Sequence, residues 1–211
     1  MWRISAHCIH LLTLHEPGNE FHVIPEVTVP GGSVDYFLVS ARNGKVKDFV
    51  GVELQTLDTT GTLWPERQRF LASAGISTKK SDTQSVDGFG MNWKMTAKTI
   101  LVQLHHKIQT FEHLNKHLVL AVQDQLLDYM KKEFSFAHVR PARLGDPMHF
   151  HSYRLKPKGT EFCIELTDDR LSMDTQGISK CLGLRAEANM ELTQLVAYLE
   201  SKLTKNTLLT L

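Results

Sequence analysis

Apolar and polar positions change period along this chain, and the changes divide it into elements. Phe21 to Val29 reads as a strand and ends at Pro30-Gly31-Gly32, a turn signal. Val34 to Ala41 and Val46 to Thr56 are two more strand runs. They are joined across Arg42-Asn43-Gly44-Lys45, whose Asn-Gly pair suits a hairpin loop. Because the runs follow one another through short turns, an antiparallel meander is expected. Asp58 to Thr62 is a polar loop, and Trp64 to Ser73 reads as a short helix with Pro65 in its first turn. Lys79 to Asn92 has no periodicity and reads as an exposed loop. The period then becomes helical: Ala97, Ile100, Leu101, Leu104, Ile108 and Phe111 form one apolar stripe. Leu118 to Val122 is a continuous apolar run, as in a strand buried on both faces. Asp124 is placed to cap a helix carrying Leu126, Leu127 and Met130. Further strands are expected at His149–Leu155 and Glu161–Leu166. A closing helix carries Ala188, Leu192, Leu195, Val196, Leu199 and Leu203.

This order predicts an α/β fold, a mixed β-sheet flanked by helices. The strand-helix-strand crossover brings the fourth strand into the same sheet, parallel to its neighbour. With 211 residues the chain can bury one good core. The expected division is a core over residues 1–138 and a C-terminal extension over residues 139–211 packed on it.

Composition narrows the function classes. The chain is 42% hydrophobic and 22% charged, as in ordinary globular proteins. A net charge of +1 gives no global argument for nucleic-acid binding. Locally, Lys131 to Lys158 holds seven Lys/Arg against two acids, a candidate basic surface or a solvated loop. Cys8, Cys163 and Cys181 have no metal-ligand spacing and suit buried thiols in a reducing compartment. No run is long enough to span a bilayer and no signal peptide is evident, so a cytoplasmic location without membrane attachment is expected.

The candidate chemistry lies in the meander. Asp35 and Glu53 are placed on two neighbouring strands at positions where a buried strand would carry Val or Ile. Glu53 and Gln55 share a face, and Asp35 on the paired strand can share it with Glu53. Two such carboxylates are either a solvated face or a site for Mg2+, which takes one or two carboxylates, waters and a substrate phosphate. Gln55 cannot carry charge but can orient a water or hold a phosphate oxygen.

Asp35 followed by Glu53-x-Gln55 at a strand end, then a long helix and a buried strand, resembles the PD-(D/E)XK nuclease superfamily. Gln55 stands where the superfamily motif has Lys. Gly51-Val-Glu-Leu-Gln-Thr-Leu-Asp-Thr-Thr-Gly61 and Asn92-Trp-Lys-Met-Thr-Ala-Lys-Thr-Ile100 are most similar to NotI-like type II restriction endonucleases. The resemblance covers about Val23 to Asp124. It implies a restriction-endonuclease-like core and a site-specific, Mg2+-dependent DNA endonuclease. It also implies Asp35 and Glu53 as metal ligands, Gln55 as the third active-site position, double-stranded DNA as substrate and a homodimer. The chain departs from the family in lacking a four-cysteine cluster and in starting shortly before the first core strand. Glu16, Glu20 and Glu26 are candidates for the further acid that an N-terminal helix often supplies there.

Because Gln55 is neutral, a catalytic cation must come from elsewhere. Lys94 and Lys98 share one face at the start of the long helix and are candidates, Lys98 as a catalytic group and Lys94 as a DNA contact. Arg140, Arg143, Arg154 and Lys156 are further candidate DNA contacts. Gln103 is a candidate to face the site, and Asp58 to lie near the metal or to order its loop. His105, His106, His113 and His117 have no compact ligand spacing and read as surface or packing residues. Two alternatives stay open: a structure-selective or repair nuclease using the same site, and a catalytically inactive DNA-binding remnant.

Overall fold

The computed structural model of the chain describes residues 2–56, 59–60, 64–73, 75, 77–79, 90–158, 161–183, 193 and 196. A short helix, α1 (Trp2–Ala6), and a 3-10 turn (Ile9–Leu11) precede β1 (Glu20–Val29), β2 (Gly32–Arg42) and β3 (Lys45–Gln55). β4 (Thr59–Thr60) and β5 (Gly90–Met91) pair with each other, and α2 (Trp64–Ser73) lies between them in sequence. There follow α3 (Trp93–His113), β6 (His117–Gln123), α4 (Asp124–Glu133), β7 (Arg140–Pro141), β8 (Met148–Lys158), β9 (Glu161–Met173) and α5 (Thr175–Cys181).

The main sheet has seven strands in the order β1-β2-β3-β6-β8-β9-β7. β1, β2 and β3 form the antiparallel meander, with β3, β6 and β8 parallel to one another. β8, β9 and β7 are antiparallel. The chain is therefore α/β, with a mixed sheet flanked by helices. The boundary expected at residue 138 falls between α4 and β7, and the residues after it supply three strands of the same sheet.

Two apolar layers cover the two faces. On one, Phe37, Val39, Leu118, Leu120 and Phe150 pack with Leu101, Leu104, Ile108 and Phe111 of α3 and Leu126, Leu127 and Met130 of α4. On the other, Leu38, Val50, Val52 and Val119 pack with Cys8, Leu11 and Leu12 of the N-terminal segment. This double cover explains why β6 reads as one unbroken apolar run.

Two expectations need correction, and two short helices were not expected. Asp124 does not cap α4; Gln123 occupies that position, and the Asp124 carboxylate instead takes its neighbour's Gln125 N–H and Arg154. β9 runs seven residues beyond Leu166, because it turns from pairing with the tip of β8 to pairing with its start across an irregularity near His151 and Tyr153. α1 and α5 carry too few turns for a period to show in the sequence. The closing helix lies outside the described residues, apart from Thr193 and Val196, which are helical, and so do Asp58 and residues 80–89.

Candidate active site

Asp35 and Glu53 meet where the β2–β3 ladder ends. The register runs from Arg42 opposite Lys45 to Tyr36 opposite Val52 and stops there. Beyond it, the Leu54 N–H donates to Asp35 Oδ2 at 2.8 Å, so a side chain takes the place of the next strand. Val34 and Phe37, three residues apart, both belong to the layer under α3. Strict alternation is therefore broken at Asp35 and Tyr36.

Glu53 faces α3. Its Oε1 accepts from Lys107 Nζ at 2.7 Å, and both residues are nearly sealed, with 9% and 7% of their surface exposed. Burial is the largest influence on Glu53 and raises its pKa. The hydrogen bond and charge of Lys107 oppose that rise without cancelling it, and the Asp35 charge adds to it.

Glycines bring Lys107 there. Gly31 has φ +98°, and a Cβ on it would stand 2.7 Å from the His106 carbonyl group. A Cβ on Gly51 would stand 2.4 Å from the Phe111 ring. Thr110 Oγ1 also donates to Pro30 O at 2.8 Å. α3 is thus docked on the β1–β2 turn and on β3, with Lys107 between the two contacts.

Sequence reasoning passed over Lys107. The signal was there: it stands three residues after Leu104 and four before Phe111, inside the apolar stripe. A lysine at a buried stripe position needs a counter-charge from the facing element.

The structure does not bring every candidate to this place. Gln55 is half-buried at the end of β3, and its Nε2 donates to Thr56 O at 2.8 Å. It lines a cleft of about 400 Å³ with Leu54, Asp124, Tyr153 and Arg154. Lys94, Lys98 and Gln103 are exposed. Lys98 precedes Lys107 by about two and a half turns, which puts it on the opposite face of α3. Arg154 Nε donates to Asp124 Oδ2 at 2.8 Å beside the cleft, and Lys156 pairs with Glu165 at 3.2 Å. Arg140 lies four strands from β3, about 19 Å at normal strand spacing. It is engaged by Asp146 through Nε at 2.9 Å and through its second guanidinium nitrogen. Arg143 is exposed beside it, its N–H donating to Ser172 Oγ at 3.0 Å. The five candidate DNA contacts therefore do not form one surface. Glu16 pairs with Arg42 and Glu20 with His22. Glu26 is exposed on β1 with φ 52°, at the gap in the β1–β2 register between Pro25 opposite Tyr36 and Val27 opposite Val34. His105 contacts Ser179 Oγ, and His117 donates to Asp146 O.

A magnesium ion can be tested against these residues. Among the described residues no group of three or more His, Cys, Asp or Glu side chains is arranged to hold a metal. Mg2+ asks for less, one or two carboxylates with water and substrate completing the shell. Asp35 Oδ1 and Glu53 Oε2 have no partner among the described residues, and both are hard oxygen donors. A divalent charge beside Glu53 would offset the burial that raises its pKa. The donor set fits.

Among the described residues no helix is long and apolar enough to cross a membrane. No protein-family model and no curated protein sequence matches the chain.

Proposed function

We propose that the protein is a Mg2+-dependent, site-specific DNA endonuclease of the type II restriction kind, with a PD-(D/E)XK-like core. The observation that carries this reading is the Asp35–Glu53–Lys107 cluster where the β2–β3 ladder ends, with Glu53 and Lys107 buried and Asp35 half-buried. Asp35 and Glu53 would hold the ion. When bound, it supplies a Lewis acid at the phosphoryl oxygens and a lowered pKa for an attacking water. Lys107 opposes the burial-driven rise of the Glu53 pKa and supplies the cation that Gln55 cannot. Gln55 offers an amide beside the cleft to orient water or a phosphate oxygen. The substrate is double-stranded DNA, and cutting both strands at a symmetric site calls for a homodimer. The expected location is the cytoplasm.

The test is supercoiled plasmid incubated with the protein and Mg2+, with Glu53→Ala in parallel. Discrete fragments from wild type and none from the variant support the reading. Random nicks, or cutting confined to junctions, point to a structure-selective or repair nuclease. Cutting that survives Glu53→Ala removes the site assignment.

A second reading has one observation in its favour. Lys107 already neutralises Glu53, as a structural ion pair would in a DNA-binding protein without catalysis. It predicts salt-sensitive DNA binding with no Mg2+-dependent cutting by either protein.

A further inference from the structure

We infer that the outer edge of β9 forms a second contact for the DNA backbone, a groove that holds phosphates away from the acid pair. The choice of partner rests on the nuclease reading above. The groove has a volume of about 650 Å³ and lies between α1 and β9. β7 covers β9 at Leu171 and Ser172, and the Ala142 N–H just after it donates to Arg170 O at 3.1 Å, so among the described residues the edge from Cys163 to Asp169 is open. Arg3, His7, Lys156 and Arg170 line it, with Glu165 as its acid.

The charges there are not balanced. Glu165 is taken by Lys156. Arg42, Arg69, Arg140 and Arg154 each have a carboxylate partner. Arg3 and Arg170 have none among the described residues. The field of Arg170 also reaches inward: after burial, its charge helps hold His7 and His10 below the usual histidine range. His7 is fixed at the groove by its contact with the Tyr153 hydroxyl at 3.1 Å. An anion bound here relieves the repulsion among these groups.

A polymer suits the site better than a single small anion. Ile164 lines both this groove and the cleft holding Gln55 and Arg154. A duplex lying in that cleft therefore continues past Ile164 and along α1 toward Arg3 and Arg170.

The test is fluorescence anisotropy of a labelled duplex, with Ca2+ in place of Mg2+, over a range of salt. For the Arg3→Gln/Arg170→Gln double variant, the slope of log K against log salt should shrink by about 2, roughly 0.9 for each phosphate left without its arginine. A photoreactive group on the half-exposed Cys163 provides the second measurement, since Cys8 and Cys181 are buried. It should crosslink to the duplex, and it decides alone if the double variant does not fold. An unchanged slope, or no crosslink, from a protein that binds and cuts DNA overturns the groove and leaves the nuclease reading standing. No duplex binding by the wild type at low salt overturns both.

Discussion

Two buried acids, Glu53 on β3 and Asp146 in the loop before β8, live under opposite conditions. Asp146 is 4% exposed and accepts from Ser172 Oγ at 2.5 Å and from the Arg140 guanidinium at both oxygens. The Arg140 hydrogen bond is the main cause that holds its carboxyl below the usual range. Glu53 is nearly as buried, has one cation on one oxygen and a second carboxylate nearby, and its pKa is raised. Asp48, on the same strand as Glu53, resembles Asp146: it takes Lys116 at 2.6 Å and the N–H groups of Leu14 and Phe49 at 2.8 and 2.9 Å. A buried carboxylate whose oxygens are all engaged serves the fold. One left short of positive charge is where a cation and a substrate have something to gain.

The sharpest way to break this contrast is to remove each acid. Glu53→Ala should lower Mg2+-dependent plasmid cleavage by about a thousandfold, some 4 kcal/mol of barrier, while the protein stays folded by circular dichroism. Asp146→Ala should leave cleavage per folded molecule within about threefold. It should reduce unfolding stability in urea by about 2 kcal/mol, because Ser172 and Arg140 lose their acceptor. Equal effects of both on cleavage would dissolve the distinction.

Lys107→Met separates the roles within the site. Cleavage should fall about a hundredfold, some 2.7 kcal/mol. Mg2+ binding by calorimetry should not weaken, since a positive charge has been removed beside two carboxylates. Loss of metal binding would instead make Lys107 a structural support for Glu53.

The two acids also predict opposite pH responses. Asp146 has a depressed folded pKa, so its stabilisation is present above its unfolded value near 3.8 and is lost as pH falls through the folded value. Nearby His149 and His151, held by burial down to about 4 and about 3, add to this loss. Their unfolded forms take up protons below pH 6.5 while the folded forms do not, so stability falls as pH drops from 6.5 toward those values. Glu53 is the reverse case. Its folded pKa is raised, so its contribution is greatest below 4.5 and is lost as pH rises through the folded value. Mg2+ should therefore raise the melting temperature at about pH 8 and leave it unchanged at about pH 4. A gain of equal size at both would place the ion elsewhere.

Smaller effects test how Lys107 is delivered. Gly31→Ala combines positive φ with a Cβ against the His106 carbonyl, and should cost about 1–3 kcal/mol of stability along with cleavage activity. Lys98→Ala should cost at least about tenfold less activity than Lys107→Ala, because it lies on the far face of α3.

The meander and the long helix were legible from their periods and bounding turn residues, and the buried β6 from its unbroken apolar run. Asp35 and Glu53 were legible as acids inside strand runs. Lys107 was not, because helix position and strand position are independent until the two elements dock. Arg140, Arg143, Arg154 and Lys156 looked like one basic run. Sheet order places β9 between β7 and β8, and so separates the first two from the others.

By itself the sequence determined the longer elements, their order, the crossover that makes β3 and β6 parallel, and the pair of acids at the ladder's end. These follow from local period and short connections. Only the tertiary structure decided which cation meets Glu53, which arginines are spent on carboxylates, and which groove keeps its positive charge unpaired. Those outcomes depend on helix docking through Gly31 and Gly51 and on strand order, and neither is a property of any single segment.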